Sequence, residues 1–392
     1  MLVHALAPPT PGGTPVILHR LLSGLRGVRL EVVTKRSLRA AVRRGDGQVL
    51  PGRYRFVAKW PGWGSRWRAG RIAAAAVNLA LALVAGARAA RWARSGGVRW
   101  VMSVSDEGFS VVAGAVAARL AGLPHLIMVF DLWEENAYND VDRWIARRLE
   151  RRLWRGAAAV IGYDEPIADH YERKHGVRAR VIATPIELGE PSANGDRPAS
   201  PGGTSDVVFA GALYWAQLDA LLRLSRVCRG LPQVRLTFIG DADEARAAGI
   251  EADAFERPLS PDEFRGRVER ADVAFLGLSF GSPHPEVIAT ASPARLPEFM
   301  ASGTPILVHA PAGSHVAEYA RREDFAEVVD RPDDAALAAG MRRVLVERAL
   351  SRARAARARE LAHERHDARR VRATLRGILA ELAADPSGKD LP

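Results

Sequence analysis

At 392 residues the chain is too long for one ordinary hydrophobic core and suits two domains of roughly 150 to 200 residues each. Its single cysteine, Cys228, excludes a disulfide framework, and the apolar-periodic stretch around it (Leu221, Leu222, Leu224, Val227) makes it a buried structural thiol rather than a nucleophile. The net charge of +11 is unevenly spread: residues 1–100 hold 18 Lys or Arg against Glu31 and Asp46 alone, while the remainder holds 38 basic against 43 acidic residues.

The first apolar run, Leu2 to Ala7, is cut off by Pro8, Pro9 and Pro11, so the N-terminus lacks the continuous apolar core of a signal peptide; a cytoplasmic protein is expected. A helical pattern from Val16 to Leu25 and a strand from Leu30 to Thr34 follow. Between Lys59 and Arg68, tryptophans alternate with cations: Lys59, Trp60, Trp63, Arg66, Trp67 and Arg68 form a candidate membrane-surface loop facing acidic headgroups. The basic N-terminal quarter points to an anionic partner, whether acidic lipid, an anionic acceptor or nucleic acid; the bland reading is a solvated arginine-rich surface, since Arg outnumbers Lys 52 to 4.

The longest apolar run, Ile72 to Ala87, is alanine-rich, contains Asn78 and falls short of the roughly 20 residues a bilayer requires, so it reads as a buried helix. Val111 to Leu123 and Ala336 to Val346 are shorter still, so no spanning segment is expected and membrane contact must be peripheral. Strands at Trp100 to Val104, His125 to Phe130, Ala157 to Gly162 and Ala179 to Ala183 alternate with helices at Phe109 to Ala121 and Ile167 to Lys174. Such alternation means βαβ units around a parallel sheet.

From Pro185 to Thr204 the composition turns to Pro, Gly, Ser, Asn and Asp, as in an interdomain linker. A second alternating series begins at Val207 to Ala210 and runs through Gln217 to Val227, Val234 to Ile239, Pro261 to Arg270, Val273 to Leu278, Pro293 to Ala301 and Pro305 to Val308. Met341 to Ala384 reads as helical, with Asp385 to Pro392 frayed. The expected layout is an N-terminal doubly wound domain (1–185), a linker (186–204), a second doubly wound domain (205–365), and a terminal helix (366–392) packing back on the first domain. Ligands bind beyond the carboxyl ends of the strands in doubly wound sheets, so function is expected in post-strand loops lining a cleft between the two domains.

The most informative segment runs from Ser292 to Val308. Ser292 suits an N-cap, Pro293 a first helical position, Gly303 a C-terminal stop, and Thr304-Pro305 the entry to a strand. The unpaired N–H groups at such a helix start favour a diphosphate, and Arg295 adds a forked cation. Glu298, one turn on, could accept both hydroxyls of a ribose; it could equally be a solvated glutamate or a partner of Arg295.

Ser292-Pro293-Ala294-Arg295-Leu296-Pro297-Glu298-Phe299-Met300-Ala301 resembles the donor-binding stretch of family 4 GT-B glycosyltransferases, especially the subgroup reading Ser-Pro-Ser-Lys-Leu-x-Glu-Tyr-Met-Ala. The resemblance places Ser292, Pro293, Ala294, Arg295, Leu296 and Glu298 around the nucleotide, with Arg295 on the diphosphate and Glu298 on the ribose. The family's Glu-x7-Glu signature is incomplete: Thr290 stands where the first glutamate belongs, and Glu286 four residues earlier is a candidate substitute. Val208 to Tyr214 is similar to the strand and glycine turn that open the nucleotide domain, where Gly211 allows close approach of a ligand, and Leu236 to Asp241 to the next strand and turn.

Near the N-terminus, Pro11-Gly12-Gly13-Thr14-Pro15 resembles the family's glycine loop near acceptor and donor phosphate, although an ordinary turn reads the same way. Asp131-Leu132-Trp133-Glu134-Glu135 is similar to an acceptor-side Asp-Leu-Trp-Pro-Glu stretch, with Phe130 in place of the histidine that many relatives have there. Asp131 or Glu134 is then the group that orients the acceptor hydroxyl, or else a cap for the following helix. Asp241-Ala242-Asp243 has the spacing of a metal–diphosphate pair, but no His or Cys cluster accompanies it in the sequence, and no metal or other cofactor is expected.

The resemblance implies an α/β chain of two doubly wound Rossmann-like domains in the GT-B architecture. It also implies transfer, with retention and without metal, from a nucleotide-sugar to a small-molecule or lipid-linked acceptor. The alternatives are a nucleotide-sugar epimerase of the same architecture and a non-enzymatic protein binding nucleic acid or another anionic surface. The latter leaves the Ser292–Glu298 segment unexplained, so nucleic acid is not an expected partner.

Overall fold

The computed structural model describes residues 1–10, 12–45, 47–58, 67–106, 108–188 and 203–384. The chain divides into two compact units, Met1–Pro185 with Ala368–Pro392, and Ile186–Asp367.

The first unit runs β1 (Leu2–Val3), α1 (Gly13–Ser23), β2 (Leu30–Lys35), α2 (Arg39–Arg44), β3 (Gly52–Val57), α3 (Arg68–Ser95), β4 (Val101–Val104), α4 (Phe109–Ala121), β5 (His125–Val129), α5 (Asp140–Arg155), β6 (Ala159–Gly162), α6 (Glu165–His175) and β7 (Arg180–Val181). Its seven strands lie in the order β3-β2-β1-β4-β5-β6-β7, every pair parallel. The order reverses direction between β1 and β4, which opens a crevice at their carboxyl ends. Strands β4 and β5 are buried throughout, as continuous apolar runs in a sheet covered on both faces should be.

The second unit runs β8 (Ser205–Ala210), α7 (Leu218–Arg229), β9 (Val234–Ile239), α8 (Ala242–Ala247), β10 (Ala254–Glu256), α9 (Pro261–Glu269), β11 (Val273–Gly277), α10 (Pro285–Thr290), α11 (Leu296–Ser302), β12 (Ile306–His309), α12 (His315–Glu323), β13 (Glu327–Val329), α13 (Asp334–Val346) and α14 (Arg348–His366). Its parallel sheet is ordered β10-β9-β8-β11-β12-β13, with the reversal between β8 and β11. The final helix, α15 (Ala368–Ala384), belongs to the first unit, where the Arg372 guanidinium donates to the carbonyl of Arg20 on α1.

Local chemistry sets several boundaries. Asn139 caps α5 by accepting from Val141 and Asp142 N–H, and Ser260 with Glu263 forms a reciprocal capping box on α9. Gly122, Gly176 and Gly303 take left-handed conformations just past α4, α6 and α11.

Four expectations are corrected. The stretch Met341 to Ala384 is not one helix: it breaks at Glu347 and at Asp367, where the backbone bridges to Ile186. Ile186, grouped with the linker by composition, is buried in the core of the second unit. The helix expected from Pro293 starts only at Leu296. The reading of Ile72 to Ala87 as a short buried helix also fails: α3 spans 28 residues, long and apolar enough to cross a membrane, with 33% of its most apolar window buried. Most of the predicted linker (189–202) and the frayed end (385–392) lie outside the described residues.

Candidate functional site

In the second unit the loops after β8 and β11 meet at the switch point. Gly211 has φ +147°, a conformation glycine alone adopts readily, and its N–H donates to the Ile239 carbonyl. A side chain at Gly240 would lie 2.8 Å from the Gly211 carbonyl oxygen, so the turns after β8 and β9 touch through bare backbone. The β11 loop is tied to the β8 loop: Ser279 N–H donates to Ala216 O, and its hydroxyl to Trp215 O at 2.7 Å. Asp219, in the first turn of α7, accepts from Phe280 N–H at 2.9 Å, and the Trp215 and His284 rings lie 4.9 Å apart. The crevice is thus held from both sides and edged with aromatic surface.

Ser292, Pro293 and Ala294 form the turn entering α11, and Arg295 rather than Ser292 occupies the N-cap position. Pro297 falls at N2, where its missing N–H costs no hydrogen bond. With only seven residues, α11 offers a weaker dipole than the longer helix expected from the sequence. Arg295 Nη1 donates to Glu298 Oε2 at 2.7 Å, while its guanidinium carbon sits 4.5 Å from the centre of the Phe264 ring. The cation is thereby fixed between a carboxylate and an aromatic face, yet 40% of its side chain stays exposed against 12% for Glu298. Leu296 anchors the turn in the core. Thr290 is buried and donates its hydroxyl to the Glu286 carbonyl, and Glu286 itself is exposed. Asp241 is occupied as the cap of α8, accepting from Asp243 and Glu244 N–H. Cys228 is buried, and burial pushes its thiol up to about 12.

In the first unit, Gly12 (φ +133°) is the N-cap of α1, and Gly13 and Thr14 form its first turn; Pro11 of the same loop lies outside the described residues. Asp131 follows β5. Its carbonyl accepts from the Ser105 hydroxyl at 2.7 Å, and burial pushes its carboxyl up to about 6. Gly108, after β4, has φ +59°, and any side chain there would collide with the Trp133 indole. His4, fully buried after β1, has its ring 3.8 Å from Asp106, and burial drives its pKa down to about 3.

Glu134 belongs to an ion-pair network. Its carboxylate is engaged by Arg147 and by Lys174 Nζ at 2.9 Å. Burial would raise its pKa, but those two hydrogen bonds outweigh it and hold the group ionised below its ordinary range. Lys174 also reaches Glu135 and the fully buried Glu150, both at 2.7 Å. Burial opposes the charge of Lys174, and the three carboxylates more than offset it, raising its pKa. The sequence reading missed this network; the signal available was one lysine of only four in the chain, next to His175 in a helix that also buries Ile167, Ala168 and Tyr171.

Asp164, after β6, caps α6 by accepting from Ile167 N–H at 3.0 Å, and burial pushes it up to about 8. A carboxyl raised this far above the ordinary aspartate value of about 4 binds its proton more tightly when folded, so stability falls as pH rises from about 4 to about 8. Asp164→Asn keeps the cap and cannot ionise. Its melting temperature relative to wild type is expected to climb between pH 5 and pH 8, and a difference constant across that range would refute the assignment.

Of the candidate surface residues, Lys59, Trp60, Trp63 and Arg66 lie outside the described residues. Trp67 is 80% exposed and immediately precedes α3, whose first residue, Arg68, lies 3.8 Å from Asp140.

No family model and no curated protein matches the chain. Solved structures do. The Anabaena protein HepE, solved with UDP-glucose, aligns over 97% of this chain and 99% of its own at TM-score 0.68 and 15% identity. Sucrose-phosphate synthase from Thermosynechococcus elongatus aligns over 98% and 96% at TM-score 0.68 and 16% identity. A glycosyltransferase from Rickettsia africae aligns over 98% of each chain at TM-score 0.65 and 10% identity. The chain therefore has the fold of the GT-B glycosyltransferases, with two Rossmann-like parallel-sheet domains in one polypeptide.

Proposed function

We propose that the chain is a glycosyltransferase that moves a sugar from a nucleotide-activated donor to an acceptor hydroxyl. The observation that supports this best is the end-to-end likeness to HepE, solved with UDP and UDP-glucose, combined with a glycine turn and the Arg295–Glu298 pair in the second unit. Arg295 neutralises the diphosphate as it departs, Glu298 holds the ribose, and Gly211 lets the phosphates approach bare backbone. In the first unit Asp131 orients the acceptor hydroxyl; the Gly12-Gly13-Thr14 turn follows β1 at the same carboxyl edge of the sheet, with β4 between. Retention at the anomeric carbon, catalysis without metal and a cytoplasmic setting complete the reading; they rest on the resemblance of Ser292–Ala301 and on the lone buried thiol.

A melting-temperature screen against UDP, GDP, ADP and TDP tests the reading. A ligand at 100 times its dissociation constant stabilises by about 2.7 kcal/mol, a shift of several degrees for a domain of this size. One of the four is expected to give that shift, and no shift with any of them at millimolar concentration would overturn the proposal.

A further inference from the structure

Helix α3 turns an apolar face to the outside. Ile72, Val77, Leu83 and Val84 are 52, 48, 47 and 50% exposed, and with Ala73, Ala76 and Ala80 they recur at three- and four-residue spacing along one side. No charged residue interrupts the helix between Arg71 and Arg88, a length of about 24 Å at 1.5 Å per residue. The outward side of a surface helix is ordinarily polar, and an uninterrupted exposed apolar strip marks an interaction surface.

The opposite side of α3 is committed to its own unit. Ala75, Ala82, Ala85 and Ala89 are buried, and a side chain at Gly86 would lie 2.7 Å from both the Ala113 carbonyl oxygen and Val116 of α4. The helix therefore presents its outer face while staying packed, and crossing a bilayer would strip α4 of its cover.

The surroundings identify what the face meets. Arg88, Arg91 and Arg94 are exposed at its C-terminal end. At its N-terminal end α5 begins alongside, with Asp140 3.3 Å from Arg71. From Arg143 to Arg155 the exposed charges of α5 are all arginine, because Glu150, the one acidic residue in that stretch, is buried. Three amphipathic aromatics stand out where the two helices start: Trp67 at 80%, Tyr138 at 67% and Trp144 at 57% exposure. An apolar strip flanked by guanidinium groups and interfacial aromatics matches acyl chains bordered by lipid phosphates. A two-fold copy of the same face would set these basic rows near one another without a matching acidic patch.

We propose that this face of the first unit docks onto an anionic lipid bilayer, with α3 lying in the interface plane. The site goes beyond the transfer reaction and does not depend on it. It also shifts the apolar part of the membrane contact from the Lys59–Arg68 segment onto the helix that segment leads into.

Co-sedimentation of the full chain with phosphatidylcholine vesicles, with and without phosphatidylglycerol, tests this. Wild type is expected to pellet with the anionic vesicles, weakly with the neutral ones, and less as salt rises. Val77→Glu with Leu83→Glu, both at exposed positions, should lower partitioning at least about tenfold. Arg88→Glu with Arg91→Glu should abolish the preference for anionic lipid. Circular dichroism melting and nucleotide binding read fold and donor site separately, and both should stay as in wild type. Equal binding to neutral vesicles, no binding by wild type, or wild-type binding by the Val77/Leu83 variant each overturns the proposal. So does a dimeric wild type that the same variant turns into a monomer, since the face would then belong to a second copy.

Discussion

Glu298→Ala is expected to weaken binding of a nucleoside and of its diphosphate alike, by roughly 10- to 150-fold, the equivalent of about 1.5 to 3 kcal/mol for hydrogen bonds to a charged group. The expectation rests on the position of the carboxylate, 12% exposed and held by Arg295 one turn away at the mouth of the second sheet. Arg295→Ala should behave differently: the diphosphate loses far more affinity than the nucleoside, because only the former bears the charge a guanidinium recognises. Phe264 sharpens the contrast. Its ring supports the guanidinium from below, so Phe264→Leu should reproduce part of the Arg295→Ala phenotype and spare the nucleoside. Titration calorimetry of both ligands against the three variants decides the matter. If Glu298→Ala binds both as wild type does while folded, the carboxylate is only the ion-pair partner of Arg295; if Arg295→Ala does so too, the donor site lies elsewhere.

The parts of this architecture that could be read from residues are those whose signal is local. Buried parallel strands such as His125–Val129 and Val273–Gly277 are nearly continuous apolar runs, and nothing else of that length looks the same between turn residues. Strand β3 escaped because it lies at the sheet edge: Gly52-Arg53-Tyr54-Arg55-Phe56-Val57 carries arginines at alternate positions, near Glu31 of β2, and reads as charged loop. Helix α5 escaped because its arginines swamp the stripe formed by Ile145, Ala146 and Trp154.

The start of α11 shows two local rules in competition. Ser292-Pro293 has the form of a cap and first turn, but a helix beginning there would need an N–H from residue 297, which proline lacks. Starting at Leu296 removes the conflict, and the chain takes that solution. Other features were invisible for a different reason. The Lys174 network joins residues 134, 135, 150 and 174 from three parts of the chain, and only the fold brings them together. The outward apolar side of α3 was misread because alanine-rich composition signals burial without saying which side is covered.

Asp131→Asn is expected to reduce transfer by about 100- to 10,000-fold, the range ascribed to a positioned acid–base group, and to leave nucleoside diphosphate affinity within about twofold of wild type. Two features of the residue make the case. Ser105 holds its backbone after β5, donating to its carbonyl at 2.7 Å, at the carboxyl edge of the first sheet. Burial then pushes its pKa up to about 6, so the group changes charge within the working range. A carboxylate is needed to accept the hydrogen of the acceptor hydroxyl. Transfer should therefore rise about tenfold per pH unit below 6 and level off above it, and the Asn variant should lose that inflection. Stability moves the other way. A carboxyl whose folded pKa exceeds the ordinary aspartate value of about 4 favours the folded state when protonated, so its contribution is lost as pH climbs from about 4 to about 6. The Asn variant should accordingly melt higher relative to wild type at pH 7 than at pH 4, even as it loses activity. A pH–rate profile and melting curves of the two proteins over the same buffers separate the outcomes. An unchanged inflection near 6 in the variant would move the acid–base role to another group, and a parallel loss of nucleotide affinity would show that Asp131 acts on the donor rather than the acceptor.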